Sequence, residues 1–227
     1  MSTYKELVYM CLDELKSSSD DAFYTEDHVI FLLGKYRSFL LKQRYSDVKK
    51  QISDSNYQTI YLNLINIPSR SEDCVSSTYL RSKEKVPSLM KIGNPEIYPV
   101  DYYQGNISLI SKERMKYVGY NKYMNNIIYA SIGPDDYIYF KSSNPQHLYL
   151  EQVMFIGIFG DAEKASKLEC QEGESNCDIL DKEFPIEGSL VPPLIELVVK
   201  ELLGAEYRPE DNVNNAKDDL SEVAVKK

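Results

Sequence analysis

The chain is poor in the residues that most catalytic sites use. Its 227 residues include no tryptophan and only two histidines, His28 and His147, and neither has a serine, cysteine or carboxylate partner at a catalytic spacing. A Gly-x-Ser-x-Gly elbow, a phosphate-binding glycine loop and a His-Glu-x-x-His helix are all missing from the sequence. We therefore predict a protein that is not an enzyme, with no catalytic residue, cofactor or metal. A glycosidase that uses paired carboxylates is the alternative that composition leaves open.

Cysteine is scarce as well, and its spacing is uninformative. Cys11, Cys74, Cys170 and Cys177 form no C-x-x-C pair, which predicts free thiols. A loop disulfide between Cys170 and Cys177, or half of a metal site there, is the alternative. No apolar run approaches the ~20 residues of a membrane helix, and the first residues lack the pattern of a secretory signal. We expect neither a membrane partner nor secretion.

Basic residues are depleted in one part of the chain. The net charge is −9, and residues 161–222 hold 17 acidic and 6 basic residues, so the remainder sums to +2. A domain that grips nucleic acid would show a basic excess, which is not found here. The pattern suits a surface that lies beside DNA without binding it, or subunits that meet acidic face to basic face. A solvated acidic tail is the alternative.

Two N-terminal segments have helical periodicity. The first runs from Tyr4 to Lys16 after a capping box formed by Thr3 and Glu6. The second starts after Thr25, and its residues Phe31 and Leu41 lie off the main apolar stripe. Its C-terminal half carries a basic set, which we interpret as a solvated face or as a contact with an acidic neighbour. The basic set consists of Lys35, Arg37, Lys42 and Arg44.

A third helix is predicted near the C-terminus, because the adjacent prolines 192 and 193 fit a helix only in its first turn. We predict Ser189 as its N-cap and Gly204 as the residue that ends it. Its apolar residues cover roughly two-thirds of the circumference, with a Glu196–Lys200 pair on the remainder. Such a helix needs a second partner, for which we expect another subunit. The subunit-interface candidates are Phe31, Leu41, Val199 and Leu203.

The middle of the chain changes to strand periodicity. Residues 57–65 alternate and predict a strand, and Gly133–Asp136 predicts the turn of a hairpin formed by residues 126–131 and 137–141. A further strand is predicted over 148–159, a short helix from Asp161 to Leu168, and a loop over 68–85. Thirteen of the nineteen tyrosines lie between residues 57 and 149, which suits half-buried sheet faces.

These segments predict an α+β fold. Two N-terminal helices and one C-terminal helix form a helical bundle, with an inserted Tyr-rich antiparallel β-domain and an extended C-terminal arm. The predicted domains are residues 1–52 with 184–204 for the bundle, 53–183 for the β-domain and 205–227 for the arm. The arm has too little apolar content to fold alone.

Four segments together carry a resemblance to a known family. They are Tyr4–Met10, Glu26–Arg37, Tyr98–Asn106 and Pro192–Gly204. In these segments the chain resembles the virion structural proteins of crAss-like tailed bacteriophages of Bacteroidales, in particular the portal-proximal ring or head–tail adaptor. The similarity spans essentially the whole chain and rests on overall pattern, not on a chemical motif.

The resemblance implies a specific role and location. A ring of 12 copies would join the portal protein to the next tail ring protein at the portal–tail junction of the virion, after synthesis in the host bacterial cytoplasm. Genomic DNA would pass through its lumen without sequence-specific binding. The C-terminal segments of such adaptors reach toward the portal, so the portal-contact candidates are Tyr207, Arg208, Leu220, Val223 and Val225. The alternatives are another ring or tail-tube component of the same neck, or a small-oligomer protein-binding adaptor outside a virion.

Overall fold

A computed structural model describes residues 2–18, 24–46, 50–67, 79–100, 106–118, 127–144, 149–169 and 178–205. The α+β class is confirmed. The α-helices are α1 (Tyr4–Ser18), α2 (Glu26–Arg44), α3 (Lys112–Met115), α4 (Ala162–Glu169) and α5 (Val191–Ala205). The strands are β1 (Gln58–Ile67), β2 (Tyr79–Ser82), β3 (Glu96–Pro99), β4 (Asn106–Leu109), β5 (Ile127–Ile132), β6 (Ile138–Lys141) and β7 (Gln152–Gly157).

The predicted start of α1 is confirmed atom by atom. The backbone N–H of Thr3 donates to Glu6 Oε2 at 3.0 Å, and the N–H of Glu6 donates to Thr3 Oγ1 at 3.2 Å. This reciprocal pair satisfies two N–H groups that the helix leaves without intrahelical partners. At α2, Thr25 occupies the N-cap position without a side-chain capping bond, and its carbonyl accepts from the N–H groups of His28 and Val29.

The ends of α5 differ from the prediction. A 3₁₀ turn over Gly188–Leu190 precedes the helix, and Ser189 lies inside it, where its Oγ donates to Glu187 Oε1 at 2.6 Å. Ser189 is therefore not the N-cap. The helix runs on to Ala205, because Gly204 does not adopt the positive φ that would make it a C-terminal stop. Within the part of the chain that the structure describes, Glu196 and Lys200 form no ion pair.

The strands form one seven-stranded sheet in the order β3-β7-β1-β2-β6-β5-β4. The predicted β5–β6 hairpin is confirmed, and Asp136 in its turn has a φ of 65°. Two predictions were wrong: β2 lies inside the predicted loop, and β4 pairs in parallel with β5, so the sheet is not purely antiparallel. The two edge strands, β3 and β4, approach each other, which nearly closes the sheet on itself.

The inner face of the sheet forms its own core. In β1 and β7 buried and partly exposed residues alternate, as the period of a strand requires. Ile60 and Leu62 of β1 pair with Phe155 and Val153 of β7 on the buried side. Phe140 of β6 is fully buried in the same cluster.

A second core lies among α1, α2 and α5, each of which contacts the other two. Two neighbours of α5 are therefore supplied within the same chain, and an additional contact with another subunit stays a prediction. Met90 and Ile158 from the β-region also join this helical core. The domain boundaries at 52/53, 183/184 and 204/205 stay a prediction.

Candidate assembly surfaces

A buried arginine fixes the helices to the sheet. Arg37 of α2 is fully buried and donates three hydrogen bonds to backbone carbonyls. Its Nε lies 2.5 Å from the oxygen of Pro185, one terminal nitrogen lies 2.7 Å from that of Phe159, and the other lies 3.0 Å from that of Asn56. These carbonyls belong to the segments before α5, after β7 and before β1. One planar guanidinium therefore ties three chain segments to α2.

The environment of Arg37 overturns part of the sequence interpretation. We predicted Arg37 as a member of an exposed basic face, but desolvation by the surrounding protein lowers its pKa to about 10. The group remains charged at neutral pH, and the carbonyl dipoles replace the water it has lost. The other three residues of the basic set are exposed on α2. No feature of the sequence distinguishes Arg37 from them except its place on the apolar side of the helix.

A second polar contact lies beside Arg37 and joins the start of α5 to the end of α2. Glu187 accepts a hydrogen bond from Tyr45 Oη at 2.6 Å and forms an ion pair with Arg44 Nε at 2.7 Å. Desolvation is the largest single influence on Glu187 and opposes its ionisation. The hydrogen bonds from Ser189 and Tyr45 and the charge of Arg44 together outweigh it, so the pKa of Glu187 is lowered. The carboxylate is thus held ionised where the two helices meet.

An apolar groove runs along the outside of the helices between α1 and α5. We call it the α1–α5 groove; it has a volume of about 1060 Å³. Its lining is Met10, Glu14, Val191, Pro192, Ile195, Glu196, Val199, Lys200, Leu203 and Gly204. Met10 projects into solvent with half of its surface exposed (50%), so apolar area remains uncovered here. Grooves of this kind commonly receive side chains of a partner.

A different surface lies on the exposed side of α2. Phe31 and Phe39 are 63% and 55% exposed, and Lys35 and Lys42 lie between and beside them within about 80° of helical arc. We call these four residues the α2 face. Lys35 pairs with Glu201 of α5 at 2.8 Å, whereas Lys42 makes no ion pair with any residue that the structure describes. Phe31 borders a depression toward α4, away from the groove.

The four interface candidates from the sequence are distributed over these surfaces and the core. Phe31 lies on the α2 face, and Val199 and Leu203 line the α1–α5 groove. Leu41 is fully buried in the helical core, so a neighbouring subunit cannot reach it. Sequence reasoning missed Met10 and Phe39. Phe39 could have been found, because it follows Phe31 by eight residues and shares its side of the helix.

Several predicted residues fall outside the described part of the chain. The portal-contact candidates Tyr207, Arg208, Leu220, Val223 and Val225 lie there, as do His147, Cys170 and Cys177. Among the residues the structure does describe, no group of three or more histidine, cysteine or acidic side chains could hold a metal ion. His28 is exposed in the first turn of α2. Burial raises the pKa of the Cys11 thiol to about 12, which keeps it protonated and unreactive.

Over the described ranges, no helix combines the length and apolar character that crossing a bilayer requires.

Comparison with known proteins identifies the family to which the chain belongs. The family model described as phage tail ring protein 2 matches residues 6–220. The chain is also 65% identical over 223 residues to Ring protein 2 of Bacteroides phage crAss001, covering 97% of this chain and 99% of that protein. The chain therefore belongs to the phage tail ring protein 2 family of crAss-like phages, and the resemblance to a ring protein of these phages is confirmed.

Proposed function

We propose that this protein is a non-enzymatic structural component of a crAss-like phage virion and assembles as a ring of 12 copies at the portal–tail junction. In this position it is the head–tail adaptor: it binds the portal on one side and the next tail ring protein on the other. Genomic DNA passes through the lumen. The observation that carries the proposal is the near full-length match to a relative named Ring protein 2.

Two features of the molecule support this function. Two unlike surfaces, the α2 face and the α1–α5 groove, expose apolar side chains on different sides of the helices. Subunits of a closed ring require two such surfaces, because each contacts a neighbour on either side. The acidic excess over residues 161–222 disfavours binding to DNA that must slide past.

Electron cryo-microscopy of purified virions tests the position and the copy number together. The expected result is a 12-fold ring of this protein in direct contact with the portal. The adaptor assignment is overturned if the ring has a different neighbour on the capsid side.

A second candidate is a ring placed further along the tail without portal contact. The family description favours it, since it names a tail ring and not a portal partner. Tagged full-length protein should capture the portal if the adaptor role is correct. Capture of another tail protein in its place would support the second candidate.

The C-terminal arm, residues 205–227, supplies the portal contact in this proposal. It has few apolar residues, and it becomes ordered at low cost only when it lies along a preformed surface. Deletion of residues 206–227 is expected to leave the melting temperature of the isolated protein nearly unchanged and to weaken portal capture severely. A deletion that lowers stability by several kcal/mol would show that the arm packs on its own protomer. Undiminished portal capture would place the contact in the helices.

A further inference from the structure

The α1–α5 groove is long and large enough to receive the phenylalanine side chains of the α2 face. Phe31 and Phe39 lie eight residues apart, which separates them by about 12 Å along the axis of α2. The groove extends along α5 from Val191 to Gly204, about 20 Å at the same rise per residue. Its volume of about 1060 Å³ is sufficient for both phenylalanine rings. The two phenylalanine rings of the α2 face consist of carbon alone, and the groove is lined largely by aliphatic side chains.

Their charges are complementary as well. Lys42 is the cation of the α2 face that no described carboxylate neutralises. At the rim of the groove Glu196 likewise lacks an ion-pair partner among residues the structure describes, and Glu14 stands across from it on α1. The α2 face therefore offers the cation of Lys42, and the rim of the groove offers the carboxylate of Glu196.

We infer that the α2 face of one subunit inserts into the α1–α5 groove of the next, with Phe31 and Phe39 as the inserted side chains. The inference rests on the proposed ring and identifies the contact that builds it. The occupant of the groove is therefore a second copy of this chain. Lys42 of the first subunit then lies against Glu196 of its neighbour.

The arrangement of the two surfaces favours this occupant. Phe31 borders α4 and the groove borders α1, so the two surfaces cannot meet within one molecule. A surface and its complement on different sides of one subunit generate a head-to-tail contact, which closes into a ring when the rotation per subunit is suitable. Such a contact buries the most exposed phenylalanines of the described chain in a single step.

Complementation between two defective variants tests the head-to-tail arrangement directly. Variant one carries Phe31→Asp and Phe39→Asp; variant two carries Leu203→Asp. Each alone is expected to be a folded monomer, because its contact would bury an unpaired carboxylate, with association weakened at least 100-fold. An equal mixture retains one intact face and one intact groove, so it should form a heterodimer that does not grow further. Tyr117→Asp, on a side chain that is 80% exposed and belongs to neither surface, is the matched control and should assemble like the parent protein.

Native mass spectrometry with one variant isotopically labelled reads out the result. Circular dichroism and melting curves establish that each variant is folded before mixing. A mixture that stays monomeric under conditions where the parent protein assembles overturns the inference. So does assembly of either variant alone to the size of the parent.

Cysteine cross-linking carries the test into virions, where the portal is present. In a background in which Cys74, Cys170 and Cys177 are changed to serine, the double variant Phe39→Cys with Leu203→Cys should give a ladder of covalent multimers under mild oxidation, and each single variant should not. Virions that contain the ring but give no ladder overturn this contact and leave the proposed function intact. Virions in which the protein forms no ring overturn both. A ladder made by either single variant would also contradict the pairing.

Charge exchange tests the polar part of the contact. Glu196→Lys should weaken association about 2–5-fold, the size of an exposed ion pair. Adding Lys42→Glu to the same chain should restore it, because the pair is rebuilt with reversed signs. Further weakening in the double variant would show that the two side chains do not face each other.

Discussion

The helices and the sheet expose their large apolar side chains in different ways. On α1 and α2 the exposed set is Tyr9, Met10, Phe31 and Phe39, and all of these except Tyr9 lack a polar tip. On the sheet and its loops most of the exposed set are tyrosines, whose hydroxyl groups remain in water or find a partner, as Tyr98 Oη does with Glu96 at 2.5 Å. Exposed phenylalanine has no such compensation. We therefore expect the helices, and not the sheet, to be covered by another chain.

The largest loss of stability is expected when the link between the helices and the sheet is removed. Arg37→Met leaves the carbonyls of Pro185, Phe159 and Asn56 without their donor in a buried site. We expect the free energy of unfolding to fall by about 4 kcal/mol or more, since each unpaired buried group costs about 1–3 kcal/mol. Arg37→Lys keeps the charge but loses the planar set of N–H donors that reaches three carbonyls. This variant should therefore recover only part of the lost stability. Urea unfolding gives both values. A loss below about 1 kcal/mol for Arg37→Met would show that the three hydrogen bonds of Arg37 do not hold the helices to the sheet.

The sheet core should react to truncation independently of the helical surfaces. Phe140→Ala removes a fully buried ring and is expected to cost about 3–5 kcal/mol. Tyr117→Ala removes an aromatic ring of similar size that is 80% exposed, and it should change stability by less than about 0.5 kcal/mol. Thermal or chemical denaturation of both variants is the measurement. Comparable losses for the two would mean that Phe140 does not pack as described.

Acid should loosen the junction at Glu187 before it affects either core. The folded-state pKa of this carboxyl is lowered below its ordinary value of 4.5. Its stabilising contribution is therefore complete above about pH 5 and is lost as the pH falls through the lower folded value. Glu187→Gln should cost about 1–2 kcal/mol at pH 7, and this difference from the parent protein should shrink toward pH 3. A constant difference across that range would show that the charge of Glu187 contributes nothing.

The smallest effect concerns the start of α1. Thr3→Ala removes the side-chain acceptor for the N–H of Glu6 and is expected to cost about 1 kcal/mol. Ser17→Ala, at the other end of the helix where Ser17 Oγ donates to a carbonyl, is a matched control for loss of a hydroxyl and should cost less. Equal losses would indicate that the capping box adds nothing beyond an ordinary surface hydrogen bond.

Local signals in the sequence were sufficient for elements whose chemistry is contained in a few residues. The capping box at Thr3 and Glu6, the alternation of β1 and the turn before Asp136 are of this kind, and all three are confirmed. Asp161 also caps α4 as predicted, accepting from the N–H of Lys164 at 3.1 Å. In each case the partner lies within a few positions of the residue that needs it.

Long-range partners were beyond the reach of the same reasoning. β3 and β4 are four residues long, too short for an alternating pattern to stand out from a loop. The burial of Arg37 depends on carbonyls 19, 122 and 148 positions away in the chain. The apolar circumference of α5 predicted its packing with the two N-terminal helices, but sequence could not show that Met90 and Ile158 of the β-region would join the same core.

The near closure of the sheet has a consequence for how copies of this chain can associate. A long open strand edge invites pairing by backbone hydrogen bonds with another chain, the process called β-augmentation. Here the two edge strands face each other, each is only four residues long, and β3 ends in Pro99, which has no N–H to donate. Many identical subunits at high local concentration therefore find little template for strand addition in the described sheet. We therefore expect recognition between subunits to depend on side chains. Side-chain contacts select one partner in one orientation, whereas the backbone groups of an open strand edge would pair with any extended strand.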